Sequence, residues 1–217
     1  MAKTIKVGTR PSALALKQVE EVRKRLPQYH IETVLIETRG DKDKISSLSD
    51  KENSDFFTRE IEQALIDGSI DAAIHSAKDL EDVMSRELVI AAMTSPISPF
   101  ECLVSRGGST MEKLPLGACV GTSSRKRRRA LMNFRPDLDV KDIRGDIDER
   151  LAQLNSGKFD AIIVAHAALI RLGYEDRIAE IIPREIMEPH PLQGSLAVQI
   201  RRDRDDLSAI FRSLDGK

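Results

Sequence analysis

GSLAVQIRRDRDDLSAIFRSL (194–214) decides the architecture. Its first part, GSLAVQIRRD (194–203), is a short apolar run between a glycine and a cluster of charges and reads as a strand; RDDLSAIFRSL (204–214) reads as a closing helix. Two complete series of alternating strands and helices precede this pair. A strand that leaves the second series at the end of the chain returns to the first. The layout predicts two α/β lobes with mixed, mostly parallel sheets, a cleft between them and a hinge crossed twice. The expected division is residues 1–95 with 195–217 as the first lobe and 96–194 as the second.

The first series runs outward from KTIKVGT (3–9), a strand, through SALALKQVEEVRKRL (12–26), a helix, to IETVLIET (31–38), a strand. FFTREIEQALIDG (56–68) is an amphipathic helix ended by Gly68, and IDAAIH (70–75) and ELVIAAM (87–93) are strands. TSPISPFECLVS (94–105), with two prolines, is expected to cross between lobes. In the second series GACVGTS (117–123), DLDVKDIRG (137–145) and KFDAIIVA (158–165) are strands, and SRKRRRALMNF (124–134) and DIDERLAQLNSG (146–157) are helices. No repeat at fixed period stands out, and RGDKDKISSLSDKENS (40–55) has the polarity of a mobile loop.

Composition limits the function. With 34 Lys and Arg against 35 Asp and Glu, no net field draws the molecule onto nucleic acid or anionic lipid, so an anion site has to be local. The two cysteines, Cys102 and Cys119, form neither a CxxC nor a cluster with histidines at zinc-ligand spacing, so no metal site is expected and the compartment is a reducing one. The N-terminus enters a strand without an apolar signal region, and no stretch reaches membrane-spanning length. A soluble cytoplasmic monomer is the expectation, with no nucleic-acid or membrane partner.

Three stretches carry candidate chemistry. In GTSSRKRRR (121–129) small hydroxyl residues stand where a strand turns into a helix, and free N–H groups with the helix dipole favour an anion. Ser123 or Ser124 supplies the N-cap, and about half of the five following cations face solvent at helical spacing. In DIRGDIDERL (142–151), Arg144 and Arg150 offer planar forks suited to carboxylates near a strand's C-terminal end; taken singly, each is more often a surface ion-pair partner of Asp146, Asp148 or Glu149. In IHSAKDLED (74–82), Ser76, Lys78 and Asp79 follow a strand, and an ionised Asp79 among cations would stabilise a developing positive charge or pass a proton; the plain alternative is a helix N-cap. His75, His166 and His190 read as packed or hydrogen-bonded histidines. P-loop, GxGxxG and zinc motifs are all lacking.

Together VGTRPSALAL (7–16), TRGD (38–41), FFTREIEQAL (56–65), DAAIHSAKDL (71–80), VGTSSRKRRRAL (120–131), DIRGDIDERL (142–151), FDAIIVAHAALIRLG (159–173) and PLQGSLAVQIR (191–201) resemble the porphobilinogen deaminase, or hydroxymethylbilane synthase, family over nearly the whole chain. The resemblance implies a fold like that of type II periplasmic binding proteins, a dipyrromethane cofactor, and the condensation of porphobilinogen into a linear tetrapyrrole with loss of ammonia. Asp79 matches the catalytic aspartate. Arg10, Ser12, Lys78, Thr122, Ser124, Arg127, Arg144, Arg150 and Arg171 match residues that bind acetate and propionate groups; Ser76, Ser123, Gly145 and Gln193 join them in the binding set. Lys126 stands where the family usually has arginine, which keeps the charge and loses the bidentate fork.

Departures accompany the resemblance. KENSDFF (51–57) replaces the family's Lys/Gly-rich lid loop, and HSAKDLE (75–81) lacks the family's proline. The family's third domain, with the cysteine that anchors dipyrromethane, would begin about where these residues end; Cys102 reads as part of the hinge and Cys119 as part of a core strand. The expectation is no covalent dipyrromethane and little ordinary deaminase turnover. The competing reading is a two-domain protein that binds a pyrrole, a linear tetrapyrrole or another polycarboxylate without turning it over.

Overall fold

The computed structural model describes residues 3–43, 55–81 and 83–216. Most of the stretch read as a mobile loop, and the first four residues of KENSDFF, lie outside the described residues. The chain forms two compact units. One draws its residues from Met1–Asp43, Asn53–Ile97 and Gly194–Lys217, the other from Ser98–Gln193.

The first unit contains β1 (Thr4–Thr9), α1 (Ala13–Arg25), β2 (His30–Leu35), α2 (Arg39–Lys42), α3 (Arg59–Ile66), β3 (Ala72–Ser76) and β4 (Leu88–Met93), and ends with β10 (Leu196–Arg201) and α7 (Asp205–Phe211). Its sheet runs β2-β1-β3-β10-β4: β1 is parallel to β2 and β3, and β10 is antiparallel to β3 and β4. β10 belongs here because LAVQI is buried throughout, with Leu196, Val198 and Ile200 packed beside Ile5, Val7 and Ile74. Leu207, Phe211 and Leu214 close over the same core. Truncating any one of these large side chains to alanine costs about 2–5 kcal/mol. α1 starts at Ser12, which caps Ala15 N–H at 3.3 Å, and buries Ala15, Gln18, Val19 and Val22 along one face.

The second unit contains β5 (Glu101–Ser105), β6 (Cys119–Gly121), α4 (Arg125–Phe134), β7 (Asp139–Lys141), α5 (Ile147–Asn155), β8 (Ala161–Ala165), α6 (His166–Leu172) and β9 (Glu180–Ile182). Its sheet order is β7-β6-β8-β5-β9, with β6 parallel to β7 and β8, and β5 antiparallel to β8 and β9. The supposed crossing at 94–105 is shorter than its prolines suggest. The change of unit falls after Ile97, and ECLVS (101–105) is a strand of this sheet, so Cys102 is a core residue and not part of a hinge.

The two sheets share one plan, in which β1, β2, β3, β10 and β4 correspond to β6, β7, β8, β5 and β9. The correspondence reaches single bonds. Lys6 N–H donates to the Asp71 carboxylate at 2.9 Å, and Cys119 N–H to that of Asp160 at 2.8 Å. Asp71 N–H answers to Lys6 O and Asp160 N–H to Cys119 O, both at 2.8 Å. VGT recurs at 7–9 and 120–122, and a G-x-x-D-A motif recurs at 68–72 and 157–161. The repeat escapes a search at fixed period because the insertions between these anchors differ in length.

Candidate functional site

Because β1, β2 and β3 run parallel, the turns that follow them gather at one edge of the first sheet, the edge where open α/β sheets place ligands. Arg10 follows β1. Its Nη2 lies 2.5 Å from Asp41 Oδ1, and its guanidinium sits 4.3 Å from the Phe57 ring centroid. Asp41 also accepts from Thr38 N–H at 3.0 Å and Thr38 Oγ1–H at 2.8 Å. Burial alone would raise the Asp41 carboxyl; the hydrogen bond and charge of Arg10, with those from Thr38, outweigh it and hold the group below its ordinary range.

Asp79 ends the single 3-10 turn Ala77–Asp79 that follows β3, and is exposed. It caps no helix, since Ser76 holds the N-cap place. The Ser76 hydroxyl accepts from Gln18 Nε2 at 2.8 Å, and Lys78 is half-buried. Behind Asp79, His75 is buried and bonded through Nε2 to Gln199 Oε1 at 3.1 Å. Burial drives its pKa down to about 4, against the opposing effects of Gln199 and Asp79, so the imidazole is neutral at ordinary pH. A recess of about 60 Å³ is lined by Thr9, Arg10, Ser12, Thr58, His75 and Asp79, among others.

In the second unit β6, β7 and β8 are parallel and again collect the candidates at one edge. The three hydroxyls after β6 divide their work. Thr122 is fully buried and accepts from Ser124 N–H at 3.4 Å, while Ser124 caps α4 by accepting from Arg127 N–H at 3.5 Å. Ser123 donates to Ile143 O and accepts from Ile143 N–H at 3.2 Å, stitching the β6 turn to the β7 turn. Thr122 and Ser124 act only as acceptors in these bonds.

The basic run splits by direction. Arg127 turns inward, with Nε and Nη2 on the Glu101 carboxylate at 2.9 and 2.6 Å and Nη1 on Ile163 O at 3.3 Å. Arg128 binds Val140 O and, at 2.6 Å, Asp142. Arg125, Lys126 and Arg129 are exposed, and Lys126 donates to Pro189 O at 3.1 Å beside an open groove of about 700 Å³.

Arg144 and Gly145 follow β7, and Arg150 Nε donates to Gly145 O at 2.8 Å. Gly145 has φ 102°, and a Cβ there would run into Glu149, which closes the α5 capping box with Asp146. Arg171 lies in the last turn of α6, the helix that follows β8 directly. Gln193 is buried and donates to Pro99 O at 3.3 Å and Phe100 O at 3.0 Å. His166 shares a 3.0 Å bond with Ser98, and His190 accepts from Leu192 N–H at 3.2 Å.

Asp41, Phe57, Thr9, Thr58, Gln18 and Gln199 surround or bond the candidate residues and escaped the reading of single motifs. TRGD carried the one usable signal, an Asp three residues after a Thr, which is the spacing of a capping pair. Among the described residues no His, Cys, Asp and Glu group could hold a metal ion, and no helix is long and apolar enough to cross a membrane.

The family model described as porphobilinogen deaminase, dipyromethane cofactor binding domain, matches residues 5–209. Porphobilinogen deaminase of Brevibacillus brevis is 39% identical over 214 residues, covering 97% of this chain and 69% of that protein. The Fusobacterium nucleatum protein of the same name is 42% identical, covering 99% and 74%. The probable porphobilinogen deaminase of Archaeoglobus fulgidus is 40% identical, covering 94% and 72%. Among solved structures, a periplasmic substrate-binding protein of an ABC transporter from Coxiella burnetii superposes with TM-score 0.58 at 14% identity, over 97% of this chain and 91% of that one. A putative methionine-binding lipoprotein from Bacillus subtilis gives 0.56 at 14% identity, over 99% and 91%. These two establish a two-lobed binding-protein fold and nothing about ligand.

Proposed function

The chain belongs to the porphobilinogen deaminase family, and from that membership we propose that it condenses porphobilinogen units head to tail into hydroxymethylbilane, with release of ammonia. The observation that carries this reading is the match to the family's cofactor-binding domain over residues 5–209. The residues fit a polycarboxylate group: Arg144, Arg150 and Lys126 supply positive charge, Arg171 adds to it from α6, and Thr122 and Ser124 supply hydroxyl donors at the start of α4. When bound, dipyrromethane supplies the pyrrole carbon to which the next unit is joined.

In this proposal Asp79 is the catalytic carboxylate, set where its negative charge opposes the cation that develops on a pyrrole as ammonia departs. Arg10, Ser12, Ser76 and Lys78 bind substrate carboxylates and pyrrole around it. Ser123, Arg127 and Gln193 position the binding turns, because their polar atoms are engaged by Ile143, Glu101 and Ile163, and Pro99 and Phe100. Gly145 contributes its backbone.

In this proposal neither cysteine here anchors the cofactor, a reading supported by the burial of Cys102, which pushes its thiol up to about 12 with Arg127 opposing and Glu101 adding to the rise, and by the raised pKa of the half-buried Cys119. The protein works in the cytoplasm as a monomer on a small pyrrole, without nucleic-acid or membrane partners. Incubation with porphobilinogen tests the reading: its consumption with matching ammonia release is the expected result. Binding without consumption would overturn it.

A further inference from the structure

The basic run of α4 is only partly absorbed by the candidate substrate site. Arg127 is matched by Glu101 and Arg128 by Asp142, whereas Arg129 has neither a hydrogen bond nor an ion pair among the described residues. These cations also work against the helix that carries them. α4 begins at Arg125 and has no acidic residue in its first turn, so the run stands at the positive end of the helix dipole. Arg125 and Arg129, four residues apart, add a like-charge pair on one face. A pattern that costs the helix stability is expected where something outside the helix uses it.

Arg129 lines a groove of about 700 Å³ made of residues of the second unit alone. One wall is α4 from Arg125 to Phe134, about 13 Å along the axis at a rise of about 1.5 Å per residue. The other is the segment 184–188, which follows β9. Between them Ala130, Phe134 and Ile186 make a half-buried apolar floor that packs on the core of the unit. The exposed rim carries Arg125, Lys126, Arg129 and Arg184 against the carboxylates of Glu185 and Glu188. Among the described residues no ion pair joins the two walls, and the Arg184 guanidinium instead sits 5.7 Å from the Phe100 ring centroid.

We propose that this groove docks an acidic amphipathic helix of a partner protein. The excess of cations on the rim matches negative charge, and the floor between them matches apolar side chains on the same ligand. No strand of the unit lines the groove, so it offers no free edge to which a partner could add a strand. α4 instead presents Ala130 and Phe134 four residues apart, the ridge on which a second helix packs. Its wall is as long as about two and a half turns of such a helix. Glu185 and Glu188 weigh against nucleic acid, which would bring a phosphate with every nucleotide. Arg129 and Arg184 have no part in the proposed substrate site, so docking here is separate from turnover.

A fluorescein-labelled helical peptide of about 14 residues, or about four turns, tests the surface, with Leu along one face and Glu and Ala elsewhere. It is titrated with the whole protein and its fluorescence anisotropy is followed. A saturable rise that weakens with added salt is expected. Arg129→Glu and Arg184→Glu together should weaken binding by about tenfold or more, whereas Lys24→Glu, on α1 of the first unit, should leave it unchanged. Both groove positions are exposed, and Arg129→Glu removes the like-charge pair with Arg125, so the unfolding midpoint should not fall. A peptide of the same composition with its leucines dispersed around the helix should bind about tenfold more weakly or worse. Absence of saturable binding, or equal binding by the dispersed peptide or by the double variant, would overturn the site. Displacement by a single-stranded oligonucleotide would overturn it in favour of a nucleic-acid surface, and displacement by porphobilinogen in favour of an extension of the substrate site.

Discussion

Arg10 and Asp41 face each other at 2.5 Å across the turns that follow β1 and β2, and the ring of Phe57 covers the other side of the guanidinium. Gly40 makes this arrangement possible, since a Cβ at that position would fall within the Phe57 ring. A cation proposed to meet substrate is thereby fixed before any ligand arrives, so less rotamer freedom is lost on binding.

Asp41→Asn should destabilise the protein by about 1.5–3 kcal/mol at neutral pH, the range for hydrogen bonds to charged groups. The folded-state pKa of Asp41 is depressed, so its contribution is present above the unfolded value of about 3.9 and is lost as pH falls through the folded one. Urea unfolding followed from pH 7 downward should show the gap between the two proteins closing only below about pH 4. A gap that stays constant to the lowest pH would remove the ion pair as its cause.

Glu101 and Arg127 present the opposite case, a pair 6% and 11% exposed in their side chains. Removing one partner leaves a buried charge, so Glu101→Gln should cost about 3–5 kcal/mol, whereas Glu101→Leu combined with Arg127→Met should recover most of that loss. A double-mutant cycle by denaturant unfolding measures the coupling. Little effect from Glu101→Gln would mean that Arg127 is held by Ile163 O alone and is available to a ligand.

Asp79→Asn keeps the shape of the side chain and removes its charge. Turnover of porphobilinogen should fall by about 10²–10³, the loss seen when one preorganised electrostatic contact to a transition state is deleted. Because Asp79 is exposed and caps no helix, the unfolding midpoint should not move. An unaltered rate would take the carboxylate out of the chemistry.

Elements bounded by strong local signals were readable from the chain. Ser12 and Ser124 announce α1 and α4, and the Gly68 and Gly157 stops are those of α3 and α5, with φ of 73° and 82°. β5 was hidden because ECLVS comes soon after Pro96 and Pro99 and looks like connector; only its pairing with β8 and β9 makes it a strand. α6 was hidden by continuity, since AIIVAHAALI (161–170) is apolar except for His166 and the N-cap is Ala165, whose methyl group cannot accept a capping hydrogen bond. At the candidate site, residue types were legible and directions were not. That Arg127 points inward depends on Glu101, 26 residues away, and the unbonded hydroxyls of Thr9 and Thr58 are a property of packing alone.

The two thiols should differ in reactivity, and neither should carry dipyrromethane. Cys102 lies in the central part of β5, is 0% exposed, donates to Val164 O at 3.5 Å and has its pKa pushed to about 12. Cys119, the first residue of β6, is half-buried; burial raises its pKa too, with Asp139 and Asp160 adding to the rise and Lys141 opposing it. Since the thiolate is the reacting species, iodoacetamide at pH 8 should alkylate Cys119 slowly and Cys102 only after denaturant is added. Intact mass after incubation with porphobilinogen should show no dipyrromethane adduct on either residue, because forming a thioether at Cys102 would require opening a fully packed strand. An adduct that persists in denaturant and disappears in Cys102→Ser or Cys119→Ser would assign the anchor to that cysteine and replace ionic retention of the cofactor with a covalent one.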